Sequence, residues 1–278
     1  MKNLYCYLNG KILPFKKAGI SPLDIGFSRG YALIEVMRTY NGKIFNFYDH
    51  YSRLQNGARA LKLKIPLSKP ALEKIIYQLI KRNSLKEAKI RIILSGGIGE
   101  EDLAIGPKPT FFVYVAPLHL SPSNWYQTGV KLITLNYHRQ NPQLKLSNYV
   151  EAIRYHDLLK KEGAAELLYV ENGFVFECST SNIFIFKGNT LITPNHQVLP
   201  GVTRKTVINL AKKRFKVVIR NITLDELKKA DEVFITSTTR EILPVVKINN
   251  TKIKNGLVGE KTKILMKDFE TFIKRRYF

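Results

Sequence analysis

Three stretches of this chain carry residue types that can hold an anion. His50 and Arg53 stand one helical turn apart, in a stretch with Leu54, Ala58 and Leu61 at three- and four-residue spacing. A helix there turns both toward one cleft, where an arginine fork suits a phosphate, although the same pair also serves as the solvated face of a basic protein. Leu199-Pro200-Gly201-Val202-Thr203-Arg204 leads into a second helix, with Thr203 near its N-cap. Free amide N–H groups and the dipole at such a start attract an anion, and Gly201 lets a ligand approach the backbone; capping alone equally explains the threonine. Thr236-Ser237-Thr238-Thr239 follows a strand and offers hydroxyl and amide donors, or forms an ordinary turn.

Two further residues change what these stretches mean together. Lys145 lies just before a helix, in Lys145-Leu146-Ser147-Asn148-Tyr149, and Glu177 ends the hairpin strand Phe174-Val175-Phe176. One lysine, one acid and three phosphate-type clusters fit a pyridoxal phosphate site. A Schiff-base lysine needs an amine freed of its proton by burial or a neighbouring cation, and an acid beside the pyridine nitrogen keeps that nitrogen protonated as an electron sink.

The elements that must position these groups are mixed. Asn-Gly between alternating apolar runs marks hairpins at Asn41-Gly42 and Asn172-Gly173, and in reversed order at Gly188-Asn189. Apolar spacing predicts helices over His50–Leu63, Lys69–Arg82, Tyr149–Glu162 and Arg204–Arg214, with strands over Thr110–Val115, Val130–Leu135, Val217–Ile219 and Val233–Thr236. Without a regular βαβα alternation the class is α+β. The Pro- and Ser-rich segment from Pro117 to Asn124 is the best linker. It divides the chain into a smaller N-terminal domain over 1–118, a linker over 119–124 and a larger C-terminal domain over 125–278.

With 278 residues, 45% of them apolar and 24% charged, the chain can bury a core and is neither a disulfide mini-protein nor disordered. Its 45 Lys and Arg outnumber 22 Asp and Glu, a formal charge of +23 that favours anions of any kind, nucleic acid included. The basic residues are dispersed and no aromatic-basic RNA-binding motif occurs, so specific nucleic-acid binding is the weaker reading. Cys6 and Cys178 stand far apart, which implies neither a disulfide framework nor a zinc site, and the histidines show no metal-ligand spacing. No run approaches 18 apolar residues, and Met1 to Lys11 lacks the apolar stretch of a signal peptide. The expectation is a cytoplasmic protein without membrane attachment and without metal.

The order of these pieces resembles the class IV aminotransferases, the fold type IV pyridoxal phosphate enzymes that include branched-chain and D-amino-acid aminotransferases and aminodeoxychorismate lyases. The resemblance covers nearly the whole chain: Asp24-Ile25-Gly26-Phe27 with Gly30 and Glu35-Val36-Met37-Arg38, then His50 with Arg53-Leu54, the lysine segment, Glu177 with Ser181-Asn182, Thr193-Pro194, Leu199 to Arg204, and Thr236 to Glu241. It implies a small N-terminal α/β domain, a larger C-terminal domain with a mostly antiparallel, barrel-like sheet, and a homodimer. It further implies that Lys145 anchors the cofactor and shuttles a proton, that Glu177 pairs with the pyridine nitrogen, and that Tyr149 lies near the phenolic oxygen. Arg53, the backbone at Val202 and Thr203, and the Thr238-Thr239 pair would hold the phosphate.

Where substrate binds, the chain departs from its relatives. Ile34 stands where members usually have an aromatic residue, and Gly96 where D-amino-acid enzymes place the arginine that clamps the substrate carboxylate. Arg29 is the first candidate to replace that clamp and Arg91 the second, against a reading of both as surface charge. The expected reaction moves an amino group between an amino acid, of D- or branched-chain type, and a 2-oxo acid such as 2-oxoglutarate or pyruvate. The alternative within the family is 4-amino-4-deoxychorismate lyase.

Overall fold

A computed structural model describes residues 4–278; Met1 to Asn3, where the stretch read for a leader begins, lie outside the described residues. The chain forms two compact units. One comprises the residues up to His119 together with 144–148 and 277–278, and the other comprises 120–143 and 149–276.

The first unit contains β1 (Tyr5–Leu8), β2 (Lys11–Pro14), α1 (Ile25–Ser28), β3 (Ala32–Tyr40), β4 (Lys43–Ile44), α2 (Phe47–Ala60), α3 (Lys69–Arg82), β5 (Ala88–Ser95) and β6 (Thr110–Pro117). Its strands make one antiparallel sheet in the order β2-β1-β6-β5-β3-β4. Alternation decides which face is covered: Ile90, Ile92 and Leu94 are fully buried, whereas Arg91 and Ile93 between them point to the other face. Leu33 and Met37 join the covered face, and Leu54, Ala58, Leu72, Ile76 and Leu79 of α2 and α3 close over it in one core. The Asn41-Gly42 hairpin forms as the dipeptide predicts, with φ of 50° and 72° at its two residues, the left-handed pair of a type I′ turn.

The second unit contains α4 (Ser123–Thr128), β7 (Val130–Asn136), α5 (Val150–Arg154), α6 (His156–Lys161), β8 (Ala164–Glu171), β9 (Phe174–Cys178), β10 (Asn182–Lys187), β11 (Thr190–Thr193), α7 (Val202–Ala211), β12 (Lys216–Ile219), β13 (Ile222–Thr223), α8 (Leu224–Lys228), β14 (Glu232–Ser237), β15 (Glu241–Ile248), β16 (Thr251–Lys252) and α9 (Glu260–Tyr277). Strands β10-β14-β15-β7-β8-β9 follow one another, and a pairing of Asn182 with Glu177 joins β10 back to β9, closing the sheet into a barrel. Its pairings are mostly antiparallel, with parallel ones at β15–β7, β7–β8 and β11–β12. Closure gives every barrel strand a partner on both sides.

Three segments differ from their sequence readings. The single helix expected over Tyr149–Glu162 is broken at Tyr155 into α5 and α6, and neither buries a residue fully, so no continuous apolar stripe rewards one longer helix. Ser123 and Asn124, read as the end of the linker, open α4, because Trp125 and Tyr126 pack against the core of the second unit. The lysine segment, which the linear order assigns to the C-terminal domain, lies with the first unit. The N–H of Ile34 donates to the carbonyl of Lys145 at 2.8 Å, the N–H of Ser147 donates to that of Ala32 at 2.9 Å, and Leu146 bridges to Leu33.

Candidate active site

In the first unit the site is built on β3 and α2. Those backbone bonds fix Lys145 beside Ile34. Glu35 points to the covered face of the sheet, where its carboxylate meets α2. Arg53 donates from Nε to Glu35 Oε2 at 2.9 Å and from Nη2 to Oε1 at 2.5 Å, while His50 Nδ1 lies 2.9 Å from Oε1. Burial works to raise the Glu35 carboxyl, but the Arg53 charge and the His50 bond outweigh it and hold the group far below the usual carboxylate range. Burial acts on His50 the other way, lowering it despite the carboxylate, so the imidazole is neutral and donates through Nδ1–H. Its Nε2 is buried with no hydrogen-bond partner among the described residues.

In the second unit the site gathers where the barrel closes. Glu177 is 2% exposed. Its Oε1 accepts from Arg139 Nη2 at 2.6 Å and Nε at 3.1 Å, and its Oε2 accepts from the Leu199 N–H at 2.8 Å and from Asn182 Nδ2 at 3.4 Å. Asn182 also donates to the Leu199 carbonyl at 2.9 Å, which draws the Leu199–Gly201 segment against the end of β10. Gly201 is required there: a Cβ would fall 2.0 Å from Asn182 Oδ1. Gly201 is also the N-cap of α7, so no side chain caps that helix. Val202 and Thr203 in its first turn are 4% and 2% exposed. The Thr203, Thr236 and Ser237 hydroxyls are buried without hydrogen-bond partners among the described residues. Thr238 and Thr239, both half-buried, form the turn that follows.

A helix start with open amides, beside buried hydroxyls that lack partners, is chemistry suited to a phosphate ester, and Glu177 is a carboxylate with charge to share with a ring nitrogen. These donors can receive pyridoxal phosphate. Tyr149 lies with its ring 5.7 Å from the guanidinium carbon of Arg139. Cys178, adjacent to Glu177, is a free thiol that burial pushes well up, so it is no nucleophile. No group of His, Cys, Asp and Glu suited to a metal ion occurs among the described residues.

The substrate-side candidates all lie in the first unit. Arg29 lines a cleft of about 290 Å³ with Tyr31, Lys62 and Leu103; its side chain is 46% exposed and pairs with Asp102 at 3.2 Å. Arg91, on the uncovered face of the sheet, donates from Nη1 to the Tyr114 hydroxyl at 2.9 Å, and its Nε is buried with no partner among the described residues. Ile34 pairs in register with Ile93 on that same face. At Gly96 a Cβ would fall 2.4 Å from Ile25 Cδ1, so an arginine there would have to displace Ile25.

Sequence reasoning missed the partners that hold the functional groups. Arg139, just upstream of Lys145, carries no spacing signal. Glu166 does carry one, as a lone acid within the apolar strand Ala-Ala-Glu-Leu-Leu-Tyr, a pattern that marks a paired buried charge.

The chain is similar to known proteins over nearly its whole length. The model of the amino-transferase class IV family matches residues 32–248. A protein of Methanocaldococcus jannaschii named "Putative branched-chain-amino-acid aminotransferase" is 36% identical, over 95% of this chain and 94% of its own length. A D-alanine aminotransferase of Listeria monocytogenes is 29% identical over 96% of each chain. Among solved structures, a branched-chain amino acid aminotransferase of T.th. with pyridoxamine 5'-phosphate is similar with a TM-score of 0.90 at 28% identity, covering 99% of this chain and 96% of the other.

Proposed function

Because the chain belongs to the class IV aminotransferase family, and so is a pyridoxal-phosphate-dependent transaminase, we propose that it moves an amino group between a branched-chain amino acid and a 2-oxo acid such as 2-oxoglutarate or pyruvate, with D-amino acids as the competing donor class. The observation that carries this reading is Glu177, a buried carboxylate with both oxygens held, beside a helix start and three buried hydroxyls without hydrogen-bond partners among the described residues. When bound, pyridoxal phosphate supplies the electron sink that lets the bond from the amino-acid α-carbon to its hydrogen break.

Each residue then has a task. Lys145 anchors the cofactor through its amine and carries the proton to and from the α-carbon, for which the backbone bonds along β3 keep it in place. Glu177 keeps the ring nitrogen protonated, and Arg139 orients Glu177 through two hydrogen bonds. Arg53, the amides of Val202 and Thr203, and Thr238 with Thr239 hold the phosphate, while Tyr149 stands beside the phenolic oxygen. Arg29 or Arg91 receives the substrate carboxylate. The buried Nε, without a partner among the described residues, supports Arg91, and the open cleft supports Arg29. A homodimer and a cytoplasmic location belong to the same proposal. The apolar Leu23, Phe27 and Leu103, at 69%, 76% and 85% exposure, support self-association, which light scattering would measure.

The test is a half-reaction screen on the purified protein. L-Leucine, L-isoleucine and L-valine are expected to convert the cofactor spectrum to the pyridoxamine form, and borohydride to fix the cofactor on Lys145. A label on another lysine overturns the anchor. Conversion by D-amino acids alone transfers the donor to that class, and cleavage of aminodeoxychorismate without any conversion replaces transaminase by lyase.

A further inference from the structure

Glu166 sits in β8, away from every role assigned above, yet it is 2% exposed and fully engaged. It accepts from Ser179 Oγ at 3.1 Å, from the Thr180 N–H at 2.7 Å, from Thr180 Oγ1 at 2.8 Å and from Ser181 Oγ at 2.5 Å, and it forms an ion pair with Arg240. The first four bonds hold the loop that follows Glu177 and Cys178. The ion pair reaches a different loop, the turn Thr238–Arg240 between β14 and β15, which the register pair Ser237–Glu241 closes. Arg240 is gripped at both ends. Its guanidinium also donates to Thr180 Oγ1 at 3.0 Å, and its carbonyl accepts from the Tyr126 hydroxyl at 3.2 Å. The next residue, Glu241, has φ of 59°, a left-handed conformation that a non-glycine residue holds only where its surroundings impose it.

From this we infer that Glu166 and Arg240 are a positioning pair: the ion pair sets the turn so that Thr238 and Thr239 present their donors to the phosphate, and it ties that turn to the loop behind Glu177. The inference rests on the reading that this turn holds the phosphate. Neither residue touches the reacting atoms, so their effect appears in how the phosphate end is gripped and not in the chemistry of the ring.

The experiment titrates cofactor-stripped full-length protein with pyridoxal phosphate and, separately, with pyridoxal, which lacks the phosphate. Arg240→Ala is expected to weaken pyridoxal phosphate by about tenfold, the worth of one charge-assisted hydrogen bond, and to leave pyridoxal unchanged. Arg240→Lys recovers part of the loss, because it restores charge without the fork. Glu166→Gln reproduces the pattern, and the double variant is no worse than the poorer single one. Since Glu166 is buried, melting of each apoprotein identifies a variant that fails to fold, and Arg240→Ala, at a side chain 24% exposed, then decides alone. Equal loss of both ligands, or no loss of either, overturns the positioning role. A Thr238→Ala, Thr239→Ala variant serves as the control. If it leaves the preference for the phosphorylated ligand intact, the phosphate reading fails; if it lowers that preference while Arg240→Ala does not, only the positioning inference fails.

Discussion

In the first unit the carboxylate of Glu35 grips Arg53 with two hydrogen bonds, whereas in the second unit Arg139 grips the carboxylate of Glu177 with two. Both pairs are buried and both are forks, but the working member is the cation in one and the anion in the other. The partner in each case fixes the direction of a buried group and supplies the opposite charge that offsets the cost of taking it out of water. His50 adds an asymmetry. It gives Glu35 a neutral donor, while the second oxygen of Glu177 is held by the backbone of Leu199 and the amide of Asn182. The second pair is thereby tied to the segment that opens α7, and the first to the helix that carries Arg53 itself.

The largest expected effect falls on the anion. Glu177→Gln keeps shape and most hydrogen bonds but not the charge, so kcat should fall by roughly 10²–10³, the scale of one electrostatic contact to a developing charge, while the cofactor dissociation constant changes little. Arg53→Ala should invert this, raising that constant by about 10- to 100-fold through loss of a charged phosphate contact, with kcat at saturating cofactor much less affected. Titration of apoprotein and steady-state kinetics measure both. Equal loss of affinity and turnover in either variant would erase the contrast between the two pairs.

Glu35→Gln tests the holder in the first pair. Arg53 loses its counter-charge and part of its fork, so cofactor affinity should fall by less than in Arg53→Ala and the protein should lose stability, read as a lower unfolding temperature. If affinity is untouched, Glu35 supports the fold and not Arg53.

The smallest effect is a pH dependence of stability. Burial holds His50 neutral, so below its ordinary value of 6.5 the unfolded chain binds a proton that the fold refuses, and stability falls as pH drops from there toward the lowered folded value. Glu35 follows below 4.5, because its folded carboxyl stays ionised where the unfolded one protonates. Denaturant midpoints between pH 7.5 and 5 should decline for the wild type and decline less for His50→Gln; parallel curves would mean that His50 is not the titrating group.

Much of this architecture was legible in the linear chain wherever the cause is local. Lys69–Arg82 is a helix over those same residues because Ser68 caps it, Pro70 starts it and Leu72, Ile76 and Leu79 make its buried stripe. Asn172-Gly173 turns with positive φ at both residues, as Asn41-Gly42 does. Tyr149–Glu162 failed as one helix because its spacing was read as a buried stripe, and the fold offers no core to receive one.

The residue types of the candidate site were set by the sequence alone: Lys145, Glu177, Arg53 and the hydroxyl run at Thr236–Thr239 can be picked out by chemistry and order. What holds them was decided only in three dimensions. Arg139 reaches Glu177, Glu166 reaches Arg240 and Lys145 lies along β3 across sequence separations for which no local periodicity exists. Each of those contacts forms only after a sheet has closed or a segment has returned to it, since a charge becomes worth pairing once burial has removed the water that would otherwise solvate it.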